Sequence, residues 1–307
     1  MDFVNCSAQT WMHGATLSSV NLPMAKGQDF IFTHHFSGAG AGATGCAECD
    51  IVAVFDGHGP LCDDPDLDFM HLLRAAPLHV LLLQLDPVTA LVDYLHGLGK
   101  PYDAAMGAVG SIVRIYRDRI ETFSVGDTAT LIFLDGSLVY KNVGHCSNVS
   151  SELERLRETL GGGFYIESST KPAIIDDTKI TIVSSPYTIF RHSSKPVKLA
   201  PSQSFGHHGV TGYRPEVATI AYSAGDQHVH IVVATDGLMD MVSTDYEPDL
   251  GALSVLSAVE LGAMAERRWK QPWDYVYRGN LVQSGYRFPD FDDVGIVTWT
   301  LSRSGPE

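Results

Sequence analysis

Apolar positions along this chain come in two rhythms. Short unbroken or alternating runs read as strands: Phe30 to Phe36, Ile51 to Phe55, His228 to Thr235 and Val294 to Leu301. Ala129 to Leu134 and Leu138 to Val143 are two more, and the Asp135-Gly136-Ser137 between them predicts a hairpin. Longer stretches read as helices. Residues 67 to 96 carry helical spacing interrupted at Pro77 and Pro87, and 102 to 121 and 251 to 268 are further expected helices. Residues 151 to 160 open on Ser-x-x-Glu, which predicts a helix with a capping box. The small residues at 37 to 45 read as a loop, and 164 to 225 as long loops holding short strand-like pieces such as Lys179 to Val183. Strands and helices fall in blocks instead of alternating, which favours an α+β layered fold with mostly antiparallel sheets. Neither an internal repeat nor a composition shift marks a boundary, so residues 1–307 are expected to form one domain.

Composition narrows the class. With 307 residues, 45% hydrophobic and 19% charged, the chain can bury a large core. No apolar run reaches the length of a membrane span, and no basic segment with an apolar stretch opens the chain. The net charge of −15 argues against nucleic-acid and anionic-membrane partners and suits a protein that binds cations. Five cysteines, an odd number, point to a reducing compartment. Cys46-x-x-Cys49 has zinc-ligand spacing but lacks a second pair. The cytoplasm is the expected location, with the nucleus open, and no heptad demands an oligomer, so a monomer is expected.

The candidate chemistry lies at strand ends. Asp56 ends the 51–55 run and is followed by an expected Gly57-His58-Gly59 turn; Asp236 follows another strand, Asp292 and Asp293 precede a third, and Asp29 precedes Phe30. Carboxylates converging from such tips repel one another unless cations hold them. Four of them balance about two divalent ions, and oxygen-only sites suit Mg²⁺ or Mn²⁺. Two such ions about 3.5–4 Å apart clamp a phosphoryl group.

An ordered set of motifs carries a resemblance. DIVAVFDGHGP at 50–60, VVATDGLMDMV at 232–242 and DDVGIV at 292–297 are accompanied by KGQD at 26–29, GDTAT at 126–130, LVYKNVGHCSNV at 138–149 and PSQSFGHHG at 201–209. Together they resemble the metal-dependent serine/threonine protein phosphatases of type 2C, over nearly the whole chain. The resemblance implies a four-layer α-β-β-α sandwich, two central antiparallel sheets flanked by helices, with two Mg²⁺ or Mn²⁺ ions at one end. It implies hydrolysis of phosphoserine and phosphothreonine in a protein substrate by a metal-activated water. Asp56 would bridge the ions, the Gly57 carbonyl would bind one, and Asp236 and Asp292 would hold the other. Asp29 would ligate directly or support metal-bound water, and His58 would protonate the leaving oxygen.

Departures from the family pattern define a second reading. Gln28 stands where a Glu is usual. His145 replaces the acid that would pair with Asp240 at a third metal site, and imidazole suits softer ions than Mg²⁺. His207 replaces another acid, and Met24 stands where an Arg would grip phosphate, leaving Lys26 as the nearby substitute, a point charge without the guanidinium fork. The alternative is a catalytically weak or inactive binding module on the same fold.

Overall fold

The structure is a computed structural model that describes residues 14–24, 26–38, 47–100, 105–175, 178–191, 196–223, 228–277, 280–284 and 291–302. In chain order the strands are β1 (Thr16–Leu22), β2 (Phe30–Phe36), β3 (Cys49–His58), β4 (Gly107–Ile115), β5 (Arg119–Val125), β6 (Ala129–Leu134), β7 (Ser137–Lys141) and β8 (Phe164–Ile175). They continue with β9 (Thr178–Phe190), β10 (Val197–Leu199), β11 (Phe205–Gly206), β12 (Glu216–Ala221), β13 (His228–Ala234), β14 (Trp273–Tyr277), β15 (Asn280–Ser284) and β16 (Val294–Ser302). The helices are α1 (Phe69–Ala75), α2 (Leu78–Leu81), α3 (Pro87–Gly97), α4 (Ser150–Leu160), α5 (Asp236–Met239), α6 (Glu247–Leu253) and α7 (Ala258–Lys270).

Two antiparallel sheets form the centre. One runs β12-β5-β4-β3-β2, with β11 paired to β4, and the other runs β1-β16-β13-β6-β7. Their facing sides bury Val52, Val54 and Val113 of the first against Ile231, Val233 and Trp299 of the second. The alternate residues Ile51, Ala53 and Phe55 point the other way and pack under α1–α3. Likewise Val232 and Ala234 pack under α5–α7. The period-2 reversal of side chains along a strand thus produces four layers, α-β-β-α, as expected. A third antiparallel sheet, β10-β9-β8-β15-β14, reaches α4 through a cluster of Phe190, Val197, Leu199 and Leu156. Among the described residues no helix is long and apolar enough to cross a membrane.

Several sequence expectations hold. The interruptions at Pro77 and Pro87 separate α1, α2 and α3, with Pro87 in the first turn of its helix. In the β6–β7 hairpin Asp135 and Gly136 take φ of 48° and 79°, the left-handed pair that a type I′ turn requires.

Others are corrected. Residues 102 to 121 are not a helix: the described part is β4, its turn and the start of β5, and every residue of β4 is buried. A strand covered on both faces loses its polar alternation and so mimics a buried helix. The helix from 251 to 268 is two helices, split where Ser257 and Glu260 form a capping box at the start of α7. The box expected at 151–160 is absent, since α4 begins after Val149 without a side-chain cap. The 164–190 region is a long hairpin, β8 with β9, and not loops around short strands. The Gly57-His58 turn is strand: β3 continues to His58, and Asp56, Gly57 and His58 pair with Val109, Ala108 and Gly107. The expected 37–45 loop falls largely, and Cys46 wholly, outside the described residues.

Candidate active site

Register brings the acids together. Phe30 pairs with Phe55, so Asp29, one residue before β2, sits beside Asp56. Ala234 pairs with Ile296, so Asp236 and Asp292 emerge together from the neighbouring sheet. Thr235 ties the two sheets: its Oγ1 donates to Asp29 Oδ2 at 2.9 Å and accepts the Gly295 N–H at 3.0 Å. Arg74 of α1 donates to the carbonyls of Gly27, Gln28 and Asp29 at 3.0–3.3 Å, fixing the segment that carries Asp29.

Close backbone packing sets the second pair. A Cβ on Gly237 would lie 1.9 Å from the Asp293 carbonyl oxygen, so only glycine lets the Asp236 turn dock on the start of β16. Asp293 is buried and accepts the backbone N–H groups of Gln28 at 2.9 Å and Lys26 at 3.3 Å. It is therefore a clamp on the Asp29 segment. Asp292 keeps solvent access at the rim.

Asp56, Asp236 and Asp292 border a cavity of about 560 Å³ together with Lys26, Gly57 and His58, and Asp29 is buried outside its lining. Burial, then the charges of Asp236, Asp29, Asp292 and Asp127, raise the Asp56 carboxyl well above the usual range. Burial, Asp292, Asp127 and Asp240 do the same to Asp236, although its side chain hydrogen-bonds Asp56. A bond between two carboxyl groups needs a shared proton. Asp29 is pushed up to about 8, chiefly by burial and then by Asp293 and Asp292. Asp292 is raised by partial burial, then by Asp293 and Asp240, with Lys26 opposing. Among the described residues no three His, Cys, Asp or Glu side chains stand close enough to form a ready-made metal cage.

The residues nevertheless fit a hard divalent ion. The donors are oxygens, and their charges disfavour one another. Asp236 Oδ1 and Gln28 Oε1 are buried without a hydrogen-bond partner, and both residues border the cavity.

His58 lies half-buried and is matched to His207, Nε2 to Nε2 at 2.6 Å, with the rings stacked at 4.8 Å. Burial, then His207 and Lys26, lower its pKa well below the ordinary histidine value. Lys26 Nζ donates to the Gly59 carbonyl at 3.2 Å, holding a positive charge at the mouth of the cavity.

Of the residues expected at a third metal site, Asp240 acts on Asp127, Asp236 and Asp292, and His145 faces another set of groups. His145 Nδ1 accepts the Gly126 N–H at 3.0 Å, and the charged groups around the ring are Glu152, Glu216 and Arg155. His145 N–H also donates to the Gly126 carbonyl at 2.7 Å, so backbone and imidazole both hold the Gly126 turn. Asp127, the next residue, lines the cavity instead. Its carboxyl is pushed up to about 7 by burial and by Asp240 and Asp292. Sequence reasoning missed it; the signal was an acid inside GDTAT at a strand-to-strand turn.

No family model matches the sequence, and no curated protein matches it. Solved structures do share the fold. A Caenorhabditis elegans sex-determining protein aligns over 97% of this chain at a TM-score of 0.55 and 14% identity, and the chain spans 66% of that structure. A serine/threonine phosphatase of Streptococcus agalactiae aligns over 94% of this chain and 100% of its own, at 0.54 and 14%. The Mycobacterium tuberculosis serine/threonine phosphatase PstP aligns over 94% of this chain and 98% of its own, at 0.49 and 16% identity. The α+β sandwich described above is the fold of type 2C phosphatases.

Proposed function

We propose that the chain hydrolyses phosphoserine and phosphothreonine in proteins at a two-metal site, as a single phosphatase-like domain. The observation that carries this reading is the convergence of Asp56, Asp236 and Asp292 on one cavity that also holds Lys26 and His58, with the buried Asp29 acting on Asp56 from behind its lining. Two Mg²⁺ or Mn²⁺ ions, when bound, supply Lewis-acid stabilisation of the phosphoryl charge and an activated water. Asp56 and the Gly57 carbonyl would hold one ion, and Asp56 with Asp236 and Asp292 the other. Asp29, fixed by Thr235, would ligate directly or support metal-bound water. Lys26 at the mouth would attract the phosphate dianion as a point charge. His58 would give a proton to the departing seryl or threonyl oxygen, the proton being held between His58 and His207. The proposed acting form is a cytoplasmic monomer.

The alternative, a weak or inactive binding module, draws on Gln28. A neutral amide takes the place of a carboxylate beside Asp29, and one negative charge fewer faces the cations. The two readings part in one experiment: turnover of p-nitrophenyl phosphate and of a phosphothreonine peptide, with Mn²⁺, Mg²⁺ or EDTA. The phosphatase reading expects hydrolysis with either ion and none with EDTA. Tight Mn²⁺ binding without turnover would establish the binding module, and turnover that ignores EDTA would refute both.

A further inference from the structure

The third sheet meets the cavity with an open edge. β10 pairs with β9 on one side, Val197 opposite Phe190 and Leu199 opposite Thr188, and among the described residues no second strand pairs with its other side. The same strand lines the cavity: Val197, Lys198 and Leu199 border it, together with Tyr187 of β9. Pro196 and Pro201 bracket the stretch, and proline has no N–H to offer a ladder, so the usable edge is short. Side chains alternate along it. Val197 and Leu199 are buried in a cluster with Phe190 and Leu156, which anchors β10 to α4. Lys198 points the other way and is exposed; its ammonium lies 4.5 Å from the Tyr187 ring centroid and 2.5 Å from Glu167 Oε1. Among the described residues, Lys26 and Lys198 are the lysines of the cavity lining, and no arginine joins them.

We propose that the phosphorylated substrate docks as an extended segment that adds to the open edge of β10, with an acidic side chain beside the phosphoresidue meeting Lys198. The inference rests on the reading of the cavity as a phosphoryl site and says how the substrate is held there. An exposed strand edge is a template for backbone pairing with another chain. This edge and the acids Asp56, Asp236 and Asp292 border one cavity, so a segment laid along β10 runs past the reacting groups. Once cations balance those acids, Lys198 is the charge presented by the β10 wall. Its pairing with Glu167 is between two half-exposed side chains and therefore weak, so an incoming carboxylate readily takes the place of Glu167. At physiological ionic strength, charges farther than about 8 Å are largely screened. Lys198, and not the net charge of −15, thus sets the preference at this position.

The test is kcat/KM of the full chain in Mn²⁺ for a phosphothreonine peptide flanked by Asp, for the same peptide flanked by Ala, and for a set N-methylated at one backbone position at a time. A strand aims every second N–H at its partner. N-methylation at positions of one parity should therefore lower kcat/KM about tenfold, the worth of one lost backbone hydrogen bond, and at the other parity should change it little. The Asp peptide should be the better substrate, and Lys198→Glu should reverse that order; an order that Lys198→Glu leaves unchanged would overturn the role of Lys198. N-methylated peptides without alternation, in a chain that hydrolyses p-nitrophenyl phosphate, would overturn strand addition and leave the phosphatase reading standing. Should neither compound be hydrolysed, the phosphatase reading falls, and fluorescence anisotropy of the labelled peptide set reads docking directly. Alternation in Kd then supports strand addition, and no alternation, or no binding at millimolar peptide, removes it. A chain that sediments as a dimer and binds no peptide would give the edge to a second copy and overturn the inference.

Discussion

His58 and His207 approach Nε2 to Nε2 at 2.6 Å with their rings nearly parallel, so only one of the two nitrogens carries the proton between them. The pair comes from distant segments: His58 ends β3, and His207 follows β11, which is paired to β4 beside it. Two imidazolium ions do not fit here, and His58 is held below its ordinary pKa partly by His207. His58→Ala should lower kcat by about 10²-fold or more, the usual worth of a positioned acid. His207→Ala removes a charge that lowers the His58 pKa, so the pH limb governed by His58 should move to higher pH. A kcat/KM profile that coincides with wild type would show that the pair does not carry the proton.

Gly237 sets the distance between Asp236 and the Asp292–Asp293 segment. Gly237→Ala forces the chain away from the Asp293 carbonyl. Overpacking of this kind costs about 1–3 kcal/mol. The variant should unfold at lower urea concentration and bind Mn²⁺ more weakly, since both acids that border the contact shift. Unaltered Mn²⁺ affinity would mean the contact positions nothing at the site.

A buried network at Asp50 separates stability from activity. Asp50 is fully buried and accepts the Trp299 indole N–H at 2.8 Å and pairs with His35 Nδ1 at 2.7 Å. It sits at the start of β3, whereas Asp56 sits near its end. Asp50→Ala should cost about 2–3 kcal/mol by leaving the indole donor unsatisfied. Phosphatase turnover per folded molecule should stay at the wild-type value. A fall in turnover without a fall in stability would contradict this separation.

His230 supplies a pH dependence. It is buried in β13, and burial, then the charge of His228, lowers its pKa from 6.5 to about 4. A depressed folded pKa means that the unfolded chain binds the proton first. The stabilisation is therefore complete above pH 6.5 and drains away as pH falls toward 4. The span corresponds to about 3 kcal/mol. His230→Gln does not titrate, so its urea midpoint should fall less than that of wild type between pH 7 and pH 4. Equal falls would refute the assignment.

How far the sequence discloses this architecture depends on what each residue contributes. The acids at strand tips were legible because a polar residue ending an apolar run is a local pattern, and the Asp135-Gly136 hairpin because its turn needs φ above zero. β4 was not legible: burial on both faces erases the alternation that marks a strand. The extension of β3 through Gly57 and His58 was hidden too, since ladder pairing with β4 is a backbone property that glycine does not advertise. Asp127 escaped because an acid in a turn between two strands is an ordinary turn residue until the fold brings that turn to the cavity. Asp293 looked equivalent to Asp292 until the Lys26 and Gln28 N–H groups singled it out as a clamp.

The central claim, that Asp56 organises divalent ions for phosphate hydrolysis, is tested most directly by turnover of a phosphothreonine peptide by Asp56→Asn beside wild type, in saturating Mn²⁺ and at equal folded concentration. The substitution keeps the side-chain volume and removes the charge that faces Asp236, Asp29 and Asp292. The account predicts loss of hydrolysis to background together with a loss of Mn²⁺ binding. Hydrolysis by Asp56→Asn at the wild-type rate would contradict it.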